Sequence, residues 1–336
     1  MPTKKNQNKG KTPSGEIAQR SEPQNPGLKG KRKTKQPRRK FNRRSTERSD
    51  SVMVALDNPN GLRWVLEFAP IYASILHGIE RGLTALNKQM QVCSIRSPGE
   101  FESLVKGRPP DGLLFLASKN VISLTDSIGT IPCVSVLGDP CDGFFDRVTY
   151  NNPATGQLPA EIFLKNGITT AAILGPTEPG RHTTFGVRYS SFVETMEDAH
   201  GTVVSLLSAD LYEPANPANQ PRPGEIASLV RALIDAPPLP KGLYVMADNL
   251  LPAVYANLLA VGITPGTDLH VVSCNSESPY FLGLTSEPAR VDIPAEEIGY
   301  RAVELLEWRS QNPRRQTSTT VFTPSFHIPQ HCPLIL

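Results

Sequence analysis

Six histidines could serve as bases or metal ligands, but His77, His182, His200, His270, His327 and His331 are dispersed along 336 residues. No Ser/His/Asp or Cys/His grouping is legible. No GxGxxG, GxxxxGKS/T, GxSxG or HExxH run occurs, so no phosphate cradle, nucleophile elbow or metalloprotease helix is expected. Cys93, Cys133, Cys141, Cys274 and Cys332 are odd in number, scattered and without a CxxC pair. That spacing suggests neither a zinc site nor a disulfide framework. Free thiols in a reducing cytosol are expected. These residue types predict no catalysis, no cofactor and no metal. What they do offer is charge. Residues 1–50 carry 16 Lys and Arg against 4 Asp and Glu, while the rest of the chain carries 19 against 28. The densest part, Lys29 to Arg48, holds Lys31, Arg32, Lys33, Lys35, Arg38, Arg39, Lys40, Arg43 and Arg44. These cations could contact nucleic-acid phosphates in a salt-dependent, sequence-blind way. The same charges also suit a solvated linker.

Stepping along the chain places these residues on elements. Residues 1–50 have one aromatic, Phe41, and no apolar period. Such a segment cannot bury enough surface to offset its chain entropy, so disorder is expected. Order begins at Ser51. Apolar runs predict strands at 52–56, 91–95, 112–116 and 133–137, with helices near 68–86, 100–105 and 121–128 between them. The pattern restarts with strands near 147–150, 171–174, 203–207, 243–246, 270–273, 281–285 and 319–322. Helices near 154–166, 185–199, 226–233, 250–259 and 298–306 separate them. Pro159 sits inside one of these helices, where proline costs about 3 kcal/mol. Repeated strand–helix–strand order predicts an α/β fold of two doubly wound, mostly parallel sheets. Ligands bind at the carboxyl ends of strands in such folds, so the cleft between two lobes is the expected site. No run approaches the roughly 20 apolar residues of a membrane span. The polar N-terminus lacks a secretory apolar region, which favours a cytoplasmic protein.

Local sequences strengthen this reading. Pro110-Asp111-Gly112-Leu113-Leu114, Ile131-Pro132-Cys133-Val134 and Val148-Thr149-Tyr150-Asn151-Asn152 each precede or form a strand. Arg188-Tyr189-Ser190-Ser191-Phe192, Ala247-Asp248-Asn249 and Gly262-Ile263-Thr264-Pro265 follow in order. Together these segments, over residues 51–329, resemble the effector-binding core of the LacI/GalR family of transcriptional regulators. The resemblance implies a type I periplasmic-binding-protein-like fold whose lobes are joined by three crossovers. It puts 51–148 plus 288–320 in an N-lobe and 149–287 plus 321–336 in a C-lobe. It also implies a homodimer.

The resemblance implies a pocket as well. Arg188 matches the family's effector-anchoring arginine, and a guanidinium presents a rigid fork of donors to hydroxyls or a carboxylate. A surface arginine on an amphipathic helix is the alternative. Asp248 matches a polar pocket position, or it is a helix N-cap. Asn275 stands where many family members carry aspartate. Its amide both donates and accepts, which suits a sugar hydroxyl, though a plain turn residue would look the same. Trp64, Phe68, Tyr72, Phe144, Phe145, Tyr150 and Tyr280 fall near expected strand ends and could stack on a sugar, or could be core.

One feature departs from the family. Residues 1–50 contain no recognisable helix-turn-helix or hinge helix, so specific base readout has no visible element. The module could be lost, replaced by the basic tail, or left out by a late start. The expected function is a regulator that senses a small carbohydrate and adjusts DNA binding. A sugar-binding solute receptor without DNA-binding activity is the alternative.

Overall fold

The structure, a computed structural model, describes residues 50–56, 62, 70–95, 97–116, 128–137, 145–177, 183–211, 222–236 and 238–335. The nine tail cations, Phe68, Trp64, Phe144, Cys141 and most of the expected helix at 121–128 lie outside those residues. The chain from Glu47 to Leu336 forms one compact unit.

Its strands in chain order are β1 (Ser51–Leu56), β2 (Gln89–Ser94), β3 (Gly112–Leu116), β4 (Cys133–Val136), β5 (Asp146–Tyr150) and β6 (Thr170–Pro176). They continue with β7 (Thr202–Ser208), β8 (Gly242–Val245), β9 (His270–Asn275), β10 (Ala289–Asp292), β11 (Thr319–Phe322) and β12 (Ser325–His327). The first sheet runs β2-β1-β3-β4-β5-β11 and the second runs β7-β6-β8-β9-β10-β12. Every pairing is parallel except β10 with β12. Parallel sheets need cover on both faces, which is why β1, β3 and β4 are buried along their whole length.

The cover comes from α1 (Pro70–Ala85), α2 (Pro98–Gly107), α3 (Asn152–Lys165), α4 (Thr184–Asp198), α5 (Pro223–Ile234), α6 (Leu251–Ala260) and α7 (Ala295–Gln311). Several helices start on side-chain caps. Asn151 accepts from Ala154 N at 3.3 Å for α3, and Thr183 accepts from Gly186 N at 3.1 Å for α4. Such caps satisfy amides that have no intrahelical acceptor.

Pro159 lies within α3 without ending it. A proline there leaves the carbonyl four residues back without its helical donor. That carbonyl is Thr155 O, and it accepts instead from the buried Tyr244 hydroxyl at 2.8 Å. A side chain from β8 therefore replaces the missing helical bond.

The chain crosses between sheets three times: after Tyr150, after Asp292 and after Phe322. This corrects the lobe boundaries read from sequence. Residues 289–292 pair with Val272–Asn275 in the second sheet, and Val321–Phe322 pair with Thr149–Tyr150 in the first. The expected strand at 281–285 is also corrected. Ser278–Phe281 is a 3₁₀ turn and the strand forms later, at Ala289. The run Phe281-Leu282-Gly283-Leu284 is apolar, but Gly283 has φ +80 and Leu282 is 82% exposed, so it presents no strand face to pair. After the second crossover, α7 returns to the first sheet. Its Arg309 grips the fully buried Asp146 through two bonds, the Nη2 bond measuring 2.8 Å.

Candidate functional site

Arg188 lies in the second turn of α4, whose N-terminus is fixed by the Thr183 cap. Gly156 of α3 lets the two helices approach closely. A Cβ there would stand 2.2 Å from Arg188 O, an impossible contact. With α4 drawn in, the Arg188 side chain is 2% exposed, which excludes the surface reading.

A buried guanidinium needs acceptors. Arg188 donates from Nη1 to Met246 O at 2.6 Å and from Nη2 to Asn275 Oδ1 at 2.9 Å. Nη2 also donates to Tyr150 Oη at 3.1 Å, and Nε donates to Asn152 Oδ1 at 3.3 Å. The Phe185 ring lies 5.6 Å from the guanidinium carbon. These partners sit at the carboxyl ends of β5, β8 and β9, so one side chain gathers strand ends from both sheets.

The structure therefore brings Arg188, Tyr150 and Asn275 into direct contact. Asp248 joins them one step removed. It does not cap the turn it begins. Its Oδ2 accepts instead from Glu277 N at 2.7 Å, while its Oδ1 is buried without a hydrogen bond. Burial pushes the Asp248 carboxyl up to about 8, and the neighbouring Glu277 charge adds to the rise. Tyr72, in the first turn of α1, lies within electrostatic reach of Tyr150, Glu277 and Arg188. Burial raises its hydroxyl to about 12, so it stays a neutral donor. Tyr280, on the 3₁₀ turn, is likewise raised to about 12 by burial, with Glu277 and Asp248 adding to the rise. Phe145 belongs elsewhere: its ring packs 6.2 Å from Phe115 in the core of the first lobe.

Two contributors escaped sequence reasoning. Asn152 follows the α3 cap, at the crossover after β5, and its place just past a strand end was the available signal. Glu277 is the more consequential. It is 7% exposed. Its Oε1 accepts from Ile71 N in α1 at 3.0 Å and its Oε2 accepts from Asn275 Nδ2 at 3.4 Å. Burial raises its pKa. The backbone that delivers it is strained, with φ +111 at Asn275 and +66 at Ser276. Because α1 packs on the first sheet and Glu277 follows β9, the Ile71 bond joins the two lobes.

The arrangement offers hydroxyls, amides, one guanidinium and two carboxylates beside aromatic rings, groups that donate and accept hydrogen bonds. Among the described residues no group of three His, Cys, Asp or Glu side chains could hold a metal.

The family model described as periplasmic binding protein-like domain matches residues 160–328. No curated protein matches the chain. Solved structures do. The transcriptional regulator CelR–cellobiose complex is 19% identical, with a TM-score of 0.65 and 84% of each chain covered. A LacI family transcriptional regulator from Enterococcus faecium with bound ribose is 17% identical, with a TM-score of 0.63, covering 83% of this chain and 97% of that one. A regulatory protein of LacI family from Chloroflexus aggregans is 17% identical, with a TM-score of 0.67, covering 85% and 99%. These likenesses establish a shared fold.

Proposed function

Since the chain belongs to the periplasmic binding protein-like domain family, we propose that it is a LacI/GalR-like transcriptional regulator that senses a small carbohydrate in the cleft between its lobes. The observation that carries this reading is the buried Arg188, which gathers Tyr150, Asn275, Asn152 and the Met246 carbonyl at the strand ends of both sheets. A guanidinium has five N–H donors, and these four bonds leave one for a ligand. The Tyr150 hydroxyl accepts from Arg188 and keeps its own proton to donate. Tyr72 adds a neutral hydroxyl from the other side, and Asp248 holds the Glu277 backbone in place. Phe68, in the stretch leading to α1, would add a stacking face. The fold is shared with regulators bound to cellobiose and to ribose, which supports carbohydrate as the ligand class.

Ligand would bind both lobes, shift their relative orientation and thereby change DNA affinity in a cytoplasmic homodimer. DNA contact would run through the tail, with Lys31, Arg32, Lys33, Lys35, Arg38, Arg39, Lys40, Arg43 and Arg44 neutralising phosphates.

Calorimetric titration with cellobiose, ribose and glucose tests the cleft. One of them should bind, and Arg188→Ala should weaken that binding by at least tenfold. Unchanged affinity in this variant would remove Arg188 from the site. Deleting residues 1–48 tests the tail separately: DNA binding should be lost and sugar affinity kept. Full DNA binding by the truncated chain would sink the tail assignment. Sugar binding by a full chain that binds no DNA would favour a solute receptor instead.

A further inference from the structure

The strands of the first sheet are all parallel, so they begin on one edge and end on the other. The end of β5 meets Arg188 at the cleft. The beginnings form the opposite edge. Asp50 leads into β1 there, Arg108 to Asp111 lead into β3, and Asn312 to Ser318 lead from α7 into β11.

Charge is unevenly spread along the ordered part of the chain. Residues 51–336 carry 19 Lys and Arg against 28 Asp and Glu, yet residues 308–336 carry three arginines and no Asp or Glu. Those arginines, Arg309, Arg314 and Arg315, all belong to the connection into β11.

That connection is held by the buried Arg309–Asp146 pair. Arg309 Nη1 donates to Asn312 O at 3.2 Å and to Arg315 O at 2.7 Å, and Nη2 donates to Gln316 O at 3.1 Å. Asp146 Oδ1 accepts from Ser318 N at 2.8 Å. Three loop carbonyls and one amide are thereby fixed, so the loop presents its side chains from a set backbone. Arg314 and Arg315 are both exposed, and neither guanidinium has a hydrogen bond or ion pair among the described residues. Other cations of this edge are engaged: Lys88 meets Glu307 at 2.7 Å, and Lys106 pairs with Glu102. The carboxylates of Asp50 and Asp111 lie by β1 and β3, at least three strand spacings from β11, or about 14 Å.

Resting on the reading of this chain as a DNA-binding regulator, we propose that this edge is itself a contact surface for duplex DNA, with Arg314 and Arg315 engaging backbone phosphates. Two neighbouring guanidiniums are rigid forks of donors that match phosphate oxygens. Gln316 and Ser318 beside them add neutral donors of the kind that position a duplex. From Asn312 to Ser318 the only apolar side chain is Pro313, so the loop has little to insert into a lipid interior. The basic tail is covalently joined to the body at this same edge, through Asp50. Linked sites on one polyanion reinforce each other. Two phosphate contacts are too few to hold DNA alone, and the tail supplies the rest.

The experiment is fluorescence-anisotropy titration of a duplex of arbitrary sequence with the full chain, repeated over a series of salt concentrations. It compares the parent with Arg314→Gln/Arg315→Gln and with Lys165→Gln/Arg231→Gln, which removes the same charge from exposed positions on α3 and α5. None of the four side chains is bonded among the described residues, so both variants keep the fold. The loop variant should bind about tenfold more weakly near 0.1 M salt, and its slope of log affinity against log salt should be shallower by about 1.8, two phosphate contacts' worth. The control should match the parent. An unchanged slope in the loop variant overturns the proposal and leaves DNA binding to the tail. An equal loss in both variants overturns it too, because net charge rather than this surface then sets affinity. So does loss of binding to phosphatidylserine vesicles with the DNA slope intact, which makes the edge a membrane contact. A parent chain that binds no duplex removes the regulator reading together with this one.

Discussion

Asp248 and Glu277 are two carboxylates buried within one backbone hydrogen bond of each other. The Arg188 charge favours the ionised form of both, but its guanidinium bonds Met246 O, Asn275 and Tyr150 rather than either carboxylate. Burial instead raises both pKa values, Asp248 to about 8. The sign of the pH effect follows. Unfolded, Asp248 loses its proton near pH 4; folded, it holds that proton until about 8. The folded state therefore binds more protons across that window, and stability falls as pH rises from about 4 to about 8, then levels off. Asp248→Asn removes its share of this slope and keeps an oxygen for Glu277 N. Urea midpoints at pH 5 and pH 8 should therefore differ less in the variant than in the parent. Equal differences would mean that Asp248 does not titrate in that window. At this scale, sequence reasoning reached Arg188 and Asn275 through their place in recognisable segments. It could not reach Glu277. That residue sits past a strand end in a stretch with no periodicity, and two positive φ values turn it inward, a consequence of tertiary packing.

Elements that bury both faces were the most legible. The apolar runs of β1, β3 and β4, and the three- and four-residue spacing in α1, α5 and α7, report burial directly. Strands β10 and β12 were not legible. Ala289-Arg290-Val291-Asp292 has two charges in four residues and is a strand only because Val272–Asn275 lies alongside it. β12 then forms against β10 as the antiparallel edge. Helix α3 shows the reverse case, a local signal against helix that the fold overrides. Pro159 is accommodated because β8 supplies Tyr244 to the freed Thr155 carbonyl. Tyr244→Phe should therefore be more harmful than loss of an ordinary hydroxyl. It strands a buried acceptor, which costs about 1–3 kcal/mol. Chemical denaturation measures this directly. A variant as stable as the parent would show that Thr155 O is served by another donor.

Across the whole molecule, the two sheets are covalently linked by three crossovers, and non-covalent bonds set how far the lobes stand apart. Two such bonds meet near Arg188. Tyr150, at the end of β5 in the first sheet, accepts from Arg188 in the second lobe. Ile71 N, in the first turn of α1, donates to Glu277 beyond β9. The second sets an ionisable carboxylate against an amide that has no intrahelical acceptor, at a helix N-terminus where the helix dipole favours negative charge. Helix starts facing a cleft are natural places for ligand oxygens, so Glu277 occupies a position that a ligand could otherwise contest. Removing its carboxylate should loosen the lobes and leave the core of each lobe intact. Glu277→Ala is expected to increase the radius of gyration measured by small-angle X-ray scattering, while its circular dichroism stays at the parental level. A cleft ligand that bridges the lobes should then restore the parental radius, since binding the closed state preferentially shifts the population toward it. If the variant scatters identically to the parent, contacts other than the Ile71–Glu277 bond hold the lobes in place, and Glu277 is not a latch.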